Sequence, residues 1–148
     1  MRLERAAKWV SSEHASRCYA TIGLGIDFTA RDVQADLKAA GKPWEKAKAF
    51  DGACPISEFV SLDKVADLQQ LGIQLRHNSH MQQNGNSADM LTPVVPLLLY
   101  ISQFFTLIPG DVVLTGTPAG VGPLAVGDQL EISLVDHVYC QTQVCAAG

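Results

Sequence analysis

A run of apolar residues that breaks into a loop of threonine, glycine and proline is the feature that most constrains this chain. The run ends at Leu114, and residues 115–123 form the loop. Two valines favour extended backbone, so residues 111–114 are predicted to form a strand. Glycine lets backbone amides approach an anion, and Thr115 and Thr117 place hydroxyls beside those amides. The pattern indicates a strand-end loop that binds a carboxylate or phosphate, or a tight turn without a ligand.

Length, composition and charge narrow the class of protein. The chain has 148 residues, 47% of them hydrophobic, which predicts one core and a single domain. A formal net charge of -4, with scattered basic residues, argues against a nucleic-acid partner. The longest apolar run is too short to span a bilayer, so no membrane partner is expected. The four cysteines lack CxxC spacing, and the sequence reads as one without a cleavable leader, so a cytoplasmic location is expected.

Hydrophobic periodicity predicts the elements that carry the candidate residues. Helices are predicted over residues 12–19, 30–40 and 94–105, with Thr29 capping the second. Strands are predicted over residues 22–28, 71–76, 111–114, 129–135 and 138–144. Asn84-Gly85-Asn86 is predicted to turn the chain between the strand at 71–76 and residues 88–91, and the two segments are predicted to form a hairpin.

Three polar residues lie around the start of the second helix. Asp27 ends the preceding strand, and Arg31 and Gln34 share the helix face turned away from the apolar stripe. Arginine can bind a carboxylate through two hydrogen bonds, aspartate supplies an oxygen to a divalent cation, and a glutamine amide can orient water. The group predicts a binding site, and the alternative is a solvated helix start.

Lys48 is a further candidate because of its neighbours in sequence. It lies between Trp44 and Phe50, whose rings could desolvate its amine and activate it. The alternative is an ordinary solvated lysine. No serine lies in a GxSxG context, so a serine hydrolase is not indicated.

Four segments, in this order, resemble the fumarylacetoacetate hydrolase family, and most closely its acylpyruvase and oxaloacetate decarboxylase/tautomerase branch. They are Gly-Ile-Asp-Phe-Thr-Ala-Arg-Asp-Val-Gln at 25–34, Pro-Trp-Glu-Lys-Ala-Lys-Ala-Phe-Asp at 43–51, Ser-Ala-Asp-Met at 87–90 and Gly-Asp-Val-Val-Leu-Thr-Gly-Thr-Pro at 110–118. The resemblance implies a β-rich α+β fold, with a mixed β-sheet or β-roll and a few short helices. Residues 1–148 would then be the C-terminal catalytic domain of the family, and the protein would be a homodimer.

The resemblance also implies three kinds of site residue: catalytic for Lys48 and Gln34, substrate-binding for Arg31, Gly116 and Thr117, and metal-binding for Asp27. In the family, Lys48 matches the lysine that stabilises an enolate or carbonyl oxygen, and the Thr117 region matches the loop that takes the substrate carboxylate. Asp27 matches the last of three carboxylates that hold Mg²⁺ or Mn²⁺.

The chain departs from the family pattern in two places. The Glu-x-Glu metal ligands and the lid segment of the family have no match in it, so it is expected to be truncated at its N-terminus. Binding of Mg²⁺ or Mn²⁺ is expected to be impaired, because a hard dication takes six or more oxygens. Ser79 stands where relatives carry glycine and is expected to loosen a hairpin turn within residues 77–84.

Two functions remain open from the sequence. The first is a metal-dependent hydrolase or lyase acting on small 2-oxo acids, by C–C hydrolysis of acylpyruvate or fumarylpyruvate or by decarboxylation or tautomerisation of oxaloacetate. The second is a catalytically inactive remnant that serves as a structural or interaction module.

Overall fold

The computed structural model describes residues 1–146, which form two units. The sheet unit comprises Met1–Leu24 and Glu58–Gly148, and the insert unit comprises Gly25–Ser57. The strands are β1 (Arg2–Leu3), β2 (Tyr19–Ile22), β3 (Val60–Ser61), β4 (Gly72–His77), β5 (His80–Asn86), β6 (Gln129–Leu134) and β7 (Val138–Gln143). The helices are α1 (Ser12–Ala15), α2 (Arg31–Ala39), α3 (Glu45–Lys48) and α4 (Val94–Phe104). The β-rich α+β class with a few short helices is confirmed.

Two antiparallel sheets organise the sheet unit. One has the strand order β1-β2-β3 and the other the order β5-β4-β6-β7. In β6, Leu130, Ile132 and Leu134 are buried and alternate with polar residues, as expected for a strand with one face on the core. The helix α4 contributes Val94 and Leu98 to the core. Among residues 1–146, no helix is both long and apolar enough to cross a membrane.

The segment that leads into the threonine-glycine-proline loop is held by the first residues of the chain. The amide of Leu3 donates to the Asp111 carbonyl at 2.8 Å, and the amide of Val113 donates to the Met1 carbonyl at 2.9 Å. Residues 111–114 nevertheless form no strand, because their partner β1 spans only two residues, and a single bridge joins Arg2 to Val112. The predicted strand is therefore wrong as an element.

Most of the longer predicted elements are confirmed, and the errors lie at irregular backbone. The helices α2 and α4 and the strands β4, β6 and β7 lie within one residue of their predicted bounds. The predicted helix at 12–19 is wrong after Ala15, because the chain enters β2 at Tyr19. The predicted strand at 22–28 is wrong after Ile22, and Asp27 lies in irregular backbone. Residues 84–86 end β5 and do not form the turn, and the predicted hairpin partner at 88–91 is wrong, because β4 pairs with β5 at His80–Asn86.

The β4–β5 hairpin reverses at Asn78 and Ser79, both in left-handed backbone with φ of 48° and 68°. Asp128 secures this tip. Its carboxylate accepts hydrogen bonds from the Asn78 side chain at 2.8 Å and from the Ala125 amide at 2.7 Å, and it lies 2.7 Å from His77 Nε2. The Ala125 amide, the Asn78 amide and His77 together lower the pKa of Asp128 to about 2.

The loop at 115–122 lies against β5 with little spare room. The Gln82 side chain donates to the Gly120 carbonyl at 2.7 Å. A Cβ atom built on Gly85 would lie 2.7 Å from Pro118, and one built on Gly120 would lie 2.1 Å from the Gln82 carbonyl oxygen. Glycine at these two positions is therefore required by the close approach of loop and strand.

We expect Asp128→Asn to destabilise the protein at neutral pH. The free energy of unfolding of the variant should also depend less on pH in the acid range. The pKa of Asp128 in the fold, about 2, lies below its ordinary value of about 3.9, so ionisation favours the folded state. This contribution is complete above the unfolded pKa and is lost as pH falls from about 4 through about 2. Urea unfolding across this pH range measures the contribution of Asp128 to the free energy of unfolding. Asp136→Asn, which removes an exposed carboxylate, is the control, and identical pH profiles for the two variants would contradict the assignment.

We expect Gly120→Ala to destabilise the protein more than Gly116→Ala. Both residues have positive φ, 103° and 108°, so each substitution carries backbone strain of about 1–2 kcal/mol. The new Cβ at 116 meets no described atom within 4 Å, whereas that at 120 overlaps the Gln82 carbonyl. The extra loss at Gly120 should be at least about 1 kcal/mol. Urea unfolding of both variants compares them, and equal losses would show that the loop does not lie as closely on β5.

Candidate functional site

An ammonium group held by a carboxylate and a hydroxyl is the main feature of the insert unit. Lys48, at the end of α3, places Nζ 2.5 Å from Asp27 Oδ1 and 2.9 Å from Thr29 Oγ1. Asp27 and Thr29 are two residues apart in backbone that pairs through Phe28 with Ala53. In extended backbone, side chains two residues apart point to the same side, which explains why both reach Lys48.

Thr29 is a residue whose role the sequence reasoning missed. It was predicted to cap α2, but the N-cap is Ala30, and no side chain bonds to the helix amides there. The Thr29 hydroxyl instead accepts a hydrogen bond from Lys48. Its spacing of two residues from Asp27 is the signal that would have indicated this contact, provided that the backbone was taken as extended.

The Lys48–Asp27 pair is accessible to solvent. The side chain of Lys48 is 33% exposed and that of Asp27 is 52% exposed. Ion pairs at this exposure contribute little to stability. Trp44 and Phe50, which were predicted to desolvate the amine, are themselves exposed. An ammonium group carries three N–H donors, and Asp27 and Thr29 engage two of them, so one N–H can donate to an oxygen of a bound molecule.

Arg31 and Gln34 contact each other at the start of α2. Arg31 Nη1 donates to Gln34 Oε1 at 3.3 Å, as the i, i+3 spacing allows. No residue of α2 is buried, so this pair lies on an exposed helix. The structure thus brings together Asp27 with Lys48, and Arg31 with Gln34, as two separate pairs within the insert unit.

Thr117 and Gly116 lie in the loop of the sheet unit. Gly116 has a φ of 108°, a conformation that favours glycine. The side-chain amide of Gln83 donates to Thr117 Oγ1 at 2.9 Å and to the Pro118 carbonyl at 2.8 Å. Thr117 is exposed, so its hydroxyl is accessible to a ligand. Gln83 is a second residue that the sequence reasoning missed.

Cys54 lies close enough to the ion pair to respond to its charges. Desolvation raises the pKa of the Cys54 thiol, the Asp27 carboxylate raises it further, and Lys48 opposes the shift. A thiol with a raised pKa stays protonated at neutral pH and is a weak nucleophile. Cys54 is therefore not a candidate for covalent catalysis.

The described residues do not by themselves form a divalent-metal site. Within residues 1–146, no three side chains of His, Cys, Asp or Glu are placed to hold a metal ion. Asp27 offers one carboxylate, and Lys48 already contacts its Oδ1 atom. Mg²⁺ and Mn²⁺ prefer about six oxygen ligands, so Asp27 would be one ligand among several.

Comparison with known proteins identifies the fold and its relatives. Residues 1–145 match the family model described as fumarylacetoacetate (FAA) hydrolase C-terminal. The chain is 48% identical to oxaloacetate tautomerase YcgM of Escherichia coli (strain K12), over 86% of this chain and 58% of that protein. It therefore spans little more than half the length of this curated relative.

Solved structures agree with the family match. A fumarylacetoacetate hydrolase family protein from Yersinia pestis CO92 superimposes with a TM-score of 0.92 at 46% identity, over 97% of this chain and 67% of that one. A fumarylpyruvate hydrolase from Pseudomonas aeruginosa, in complex with Mn²⁺ and pyruvate, gives a TM-score of 0.92 at 28% identity, over 99% and 63% of the two chains. The fold and the resemblance predicted from the sequence are confirmed: the chain belongs to the fumarylacetoacetate hydrolase family.

Proposed function

We propose that the protein is a metal-dependent hydrolase or lyase acting on small 2-oxo acids. Its reactions would be C–C hydrolysis of acylpyruvate or fumarylpyruvate, or decarboxylation or tautomerisation of oxaloacetate. The observation that carries the proposal is the Lys48 ammonium held by Asp27 and Thr29 at an exposed position. The names of the relatives support the substrate class, since one is an oxaloacetate tautomerase and another a fumarylpyruvate hydrolase solved with pyruvate, a 2-oxo acid.

The role proposed for Lys48 follows from what these reactions share. In each of them a bond from carbon 3, the carbon next to the 2-oxo group, breaks: C3–C4 in hydrolysis and decarboxylation, and C3–H in tautomerisation. The acyl group passes to water, CO2 leaves, or the proton passes to a base, and the electron pair moves onto the 2-oxo oxygen to form an enolate. An ammonium fixed within hydrogen-bond distance of that oxygen stabilises the charge as it develops. Asp27 and Thr29 fix the Nζ atom, which leaves one N–H of Lys48 to donate to the oxygen.

The remaining candidate residues are proposed to bind the substrate and to orient the substrate or a water molecule. Arg31 presents a guanidinium that can bind a carboxylate through two hydrogen bonds. Gln34 holds its oxygen towards Arg31, so its amide nitrogen can orient a water or a substrate oxygen. The Thr117 hydroxyl and the backbone around Gly116 are proposed to receive a substrate carboxylate.

We propose that Asp27 contributes one oxygen to a bound Mg²⁺ or Mn²⁺, as the Mn²⁺ in the relative from P. aeruginosa supports. A bound dication polarises a 2-oxo carboxylate as a Lewis acid. The described residues do not complete its ligand set, so the roles proposed above are those of side chains alone. A single domain, a homodimer and a cytoplasmic location remain predictions.

Lys48→Met is expected to lower kcat/KM for oxaloacetate tautomerisation by about a hundredfold or more, because one fixed donor to the enolate is lost. The assay follows the enol and keto forms by ultraviolet absorbance in the presence of Mn²⁺. Lys46→Met is the matched control, since Lys46 is an exposed lysine on the same helix, and it should keep the original activity. Should the unsubstituted protein turn over neither oxaloacetate nor fumarylpyruvate, the enzymatic proposal fails and a structural or interaction module is favoured.

Asp27→Asn is expected to weaken Mn²⁺ binding at least tenfold in calorimetric titration, because a neutral amide replaces a charged oxygen ligand. Asp36→Asn, an exposed aspartate on α2, controls for the loss of one negative charge. Equal affinity in the two variants would remove Asp27 from the ligand set.

A further inference from the structure

The contacts of Gln83 with the loop at 115–122 show which end of its side-chain amide faces the loop. Its Nε2 atom lies 2.8 Å from the Pro118 carbonyl oxygen and 2.9 Å from Thr117 Oγ1. A carbonyl oxygen can only accept, so the amide nitrogen, not the amide oxygen, must face the loop. Both N–H groups of Gln83 are then used, one on each loop oxygen.

This arrangement decides the direction of the Thr117 hydroxyl proton. A hydroxyl has one proton and two lone pairs, and here one lone pair accepts from Gln83. The proton must therefore point away from Nε2. Thr117 is exposed, so a proton that points away from Nε2 can donate to a ligand at the surface of the loop. A hydroxyl held in this state suits an anion, because one of its lone pairs is already engaged and its proton is available to donate.

A bulge in β5 brings two adjacent glutamines to the same loop. Leu75 pairs with Gln83, but Arg76 pairs with Met81, so Gln82 is the extra residue in the ladder. In a regular strand, neighbouring side chains point to opposite faces, whereas a bulge re-aims one of them. Gln82 consequently donates to the Gly120 carbonyl while Gln83 donates to Thr117 and Pro118.

We propose that Gln83 is a positioning residue that holds the Thr117 hydroxyl as a hydrogen-bond donor for the substrate carboxylate. This inference rests on the proposed function, which places a carboxylate at the loop. Gln83 acts through Thr117 and does not itself touch the substrate.

The first test measures pyruvate binding by calorimetry in the presence of Mn²⁺. Gln83→Met keeps the side-chain length and removes both donors, and pyruvate should bind about fivefold more weakly. Gln83→Glu replaces the donors with a carboxylate that captures the Thr117 proton, and the loss should be larger. Gln74→Met is the matched control, because the Gln74 amide bonds Asn84, which points to the opposite face from Gln83.

The second test separates positioning from any general effect on the loop. In a Thr117→Val background no hydroxyl remains, so adding Gln83→Met should change pyruvate affinity no further. A full additional loss in that background would overturn the proposal, as would unchanged affinity in both folded Gln83 variants.

The third test does not depend on substrate. Three-bond couplings from the Thr117 methyl carbon to backbone nitrogen and carbonyl carbon report the side-chain rotamer by NMR. A single rotamer in the unsubstituted protein should become averaged in Gln83→Met. If the single rotamer persists in the variant, the proposed role of Gln83 is wrong. If the rotamer becomes averaged in the variant but the unsubstituted protein does not bind pyruvate, only the proposed function is contradicted.

Discussion

The register of β5 against β4 is the constraint on which the loop of the sheet unit depends. Side chains alternate along a strand, so a slip by one residue would move Gln83 to the other face of the sheet and leave the loop without its anchors. The bulge at Gln82 changes that alternation at one point, and the shift in pairing after Leu75 fixes where it occurs. Gly85 follows on the same face and lets Pro118 approach the strand. Three residues of one strand, Gln82, Gln83 and Gly85, thereby determine where the loop around Thr117 lies.

The insert unit also holds a polar side chain in place, that of Lys48, although its structure is less regular. Its longest element is α2, which buries no residue, and the ion pair lies on backbone outside any strand. Hydrogen bonds from Phe28 to Ala53 and from Ala30 to Ala47 hold that backbone. Ala47 is fully buried one position before Lys48, so the apolar side of α3 anchors the helix while its charged side faces solvent. The side chain of Lys48 is thus held in place by a small unit with few regular elements.

The sequence indicated residues for the candidate site, but it did not indicate all the contacts that the structure gives them. Periodicity located α2, α4, β4, β6 and β7, because apolar residues recur along each at helical or alternate spacing or form a long apolar run. The motifs indicated Asp27 and Lys48, and the structure places them in contact. Thr29 and Gln83 were missed for a common reason: each contacts a segment that is distant in sequence, Thr29 the Lys48 ammonium and Gln83 the loop at Thr117. Irregular backbone is held by specific pairings between distant segments, and one sequence shows only one side of each pairing.

The hairpin tip has a consequence for how this chain can vary. Asn78 and Ser79 both occupy backbone that glycine adopts without strain, and Asp128 stabilises the tip by bonding Asn78 across 50 positions of sequence. The conformational strain at position 79 and the anchoring by Asp128 therefore act on the same hairpin tip, and we expect them to be energetically coupled. Loss of the carboxylate should be tolerated better in a chain that has glycine at 79, and serine at 79 should be tolerated better where the carboxylate is present. Substitutions at these two positions are conditional on one another, so their acceptance over time depends on the order in which they arise.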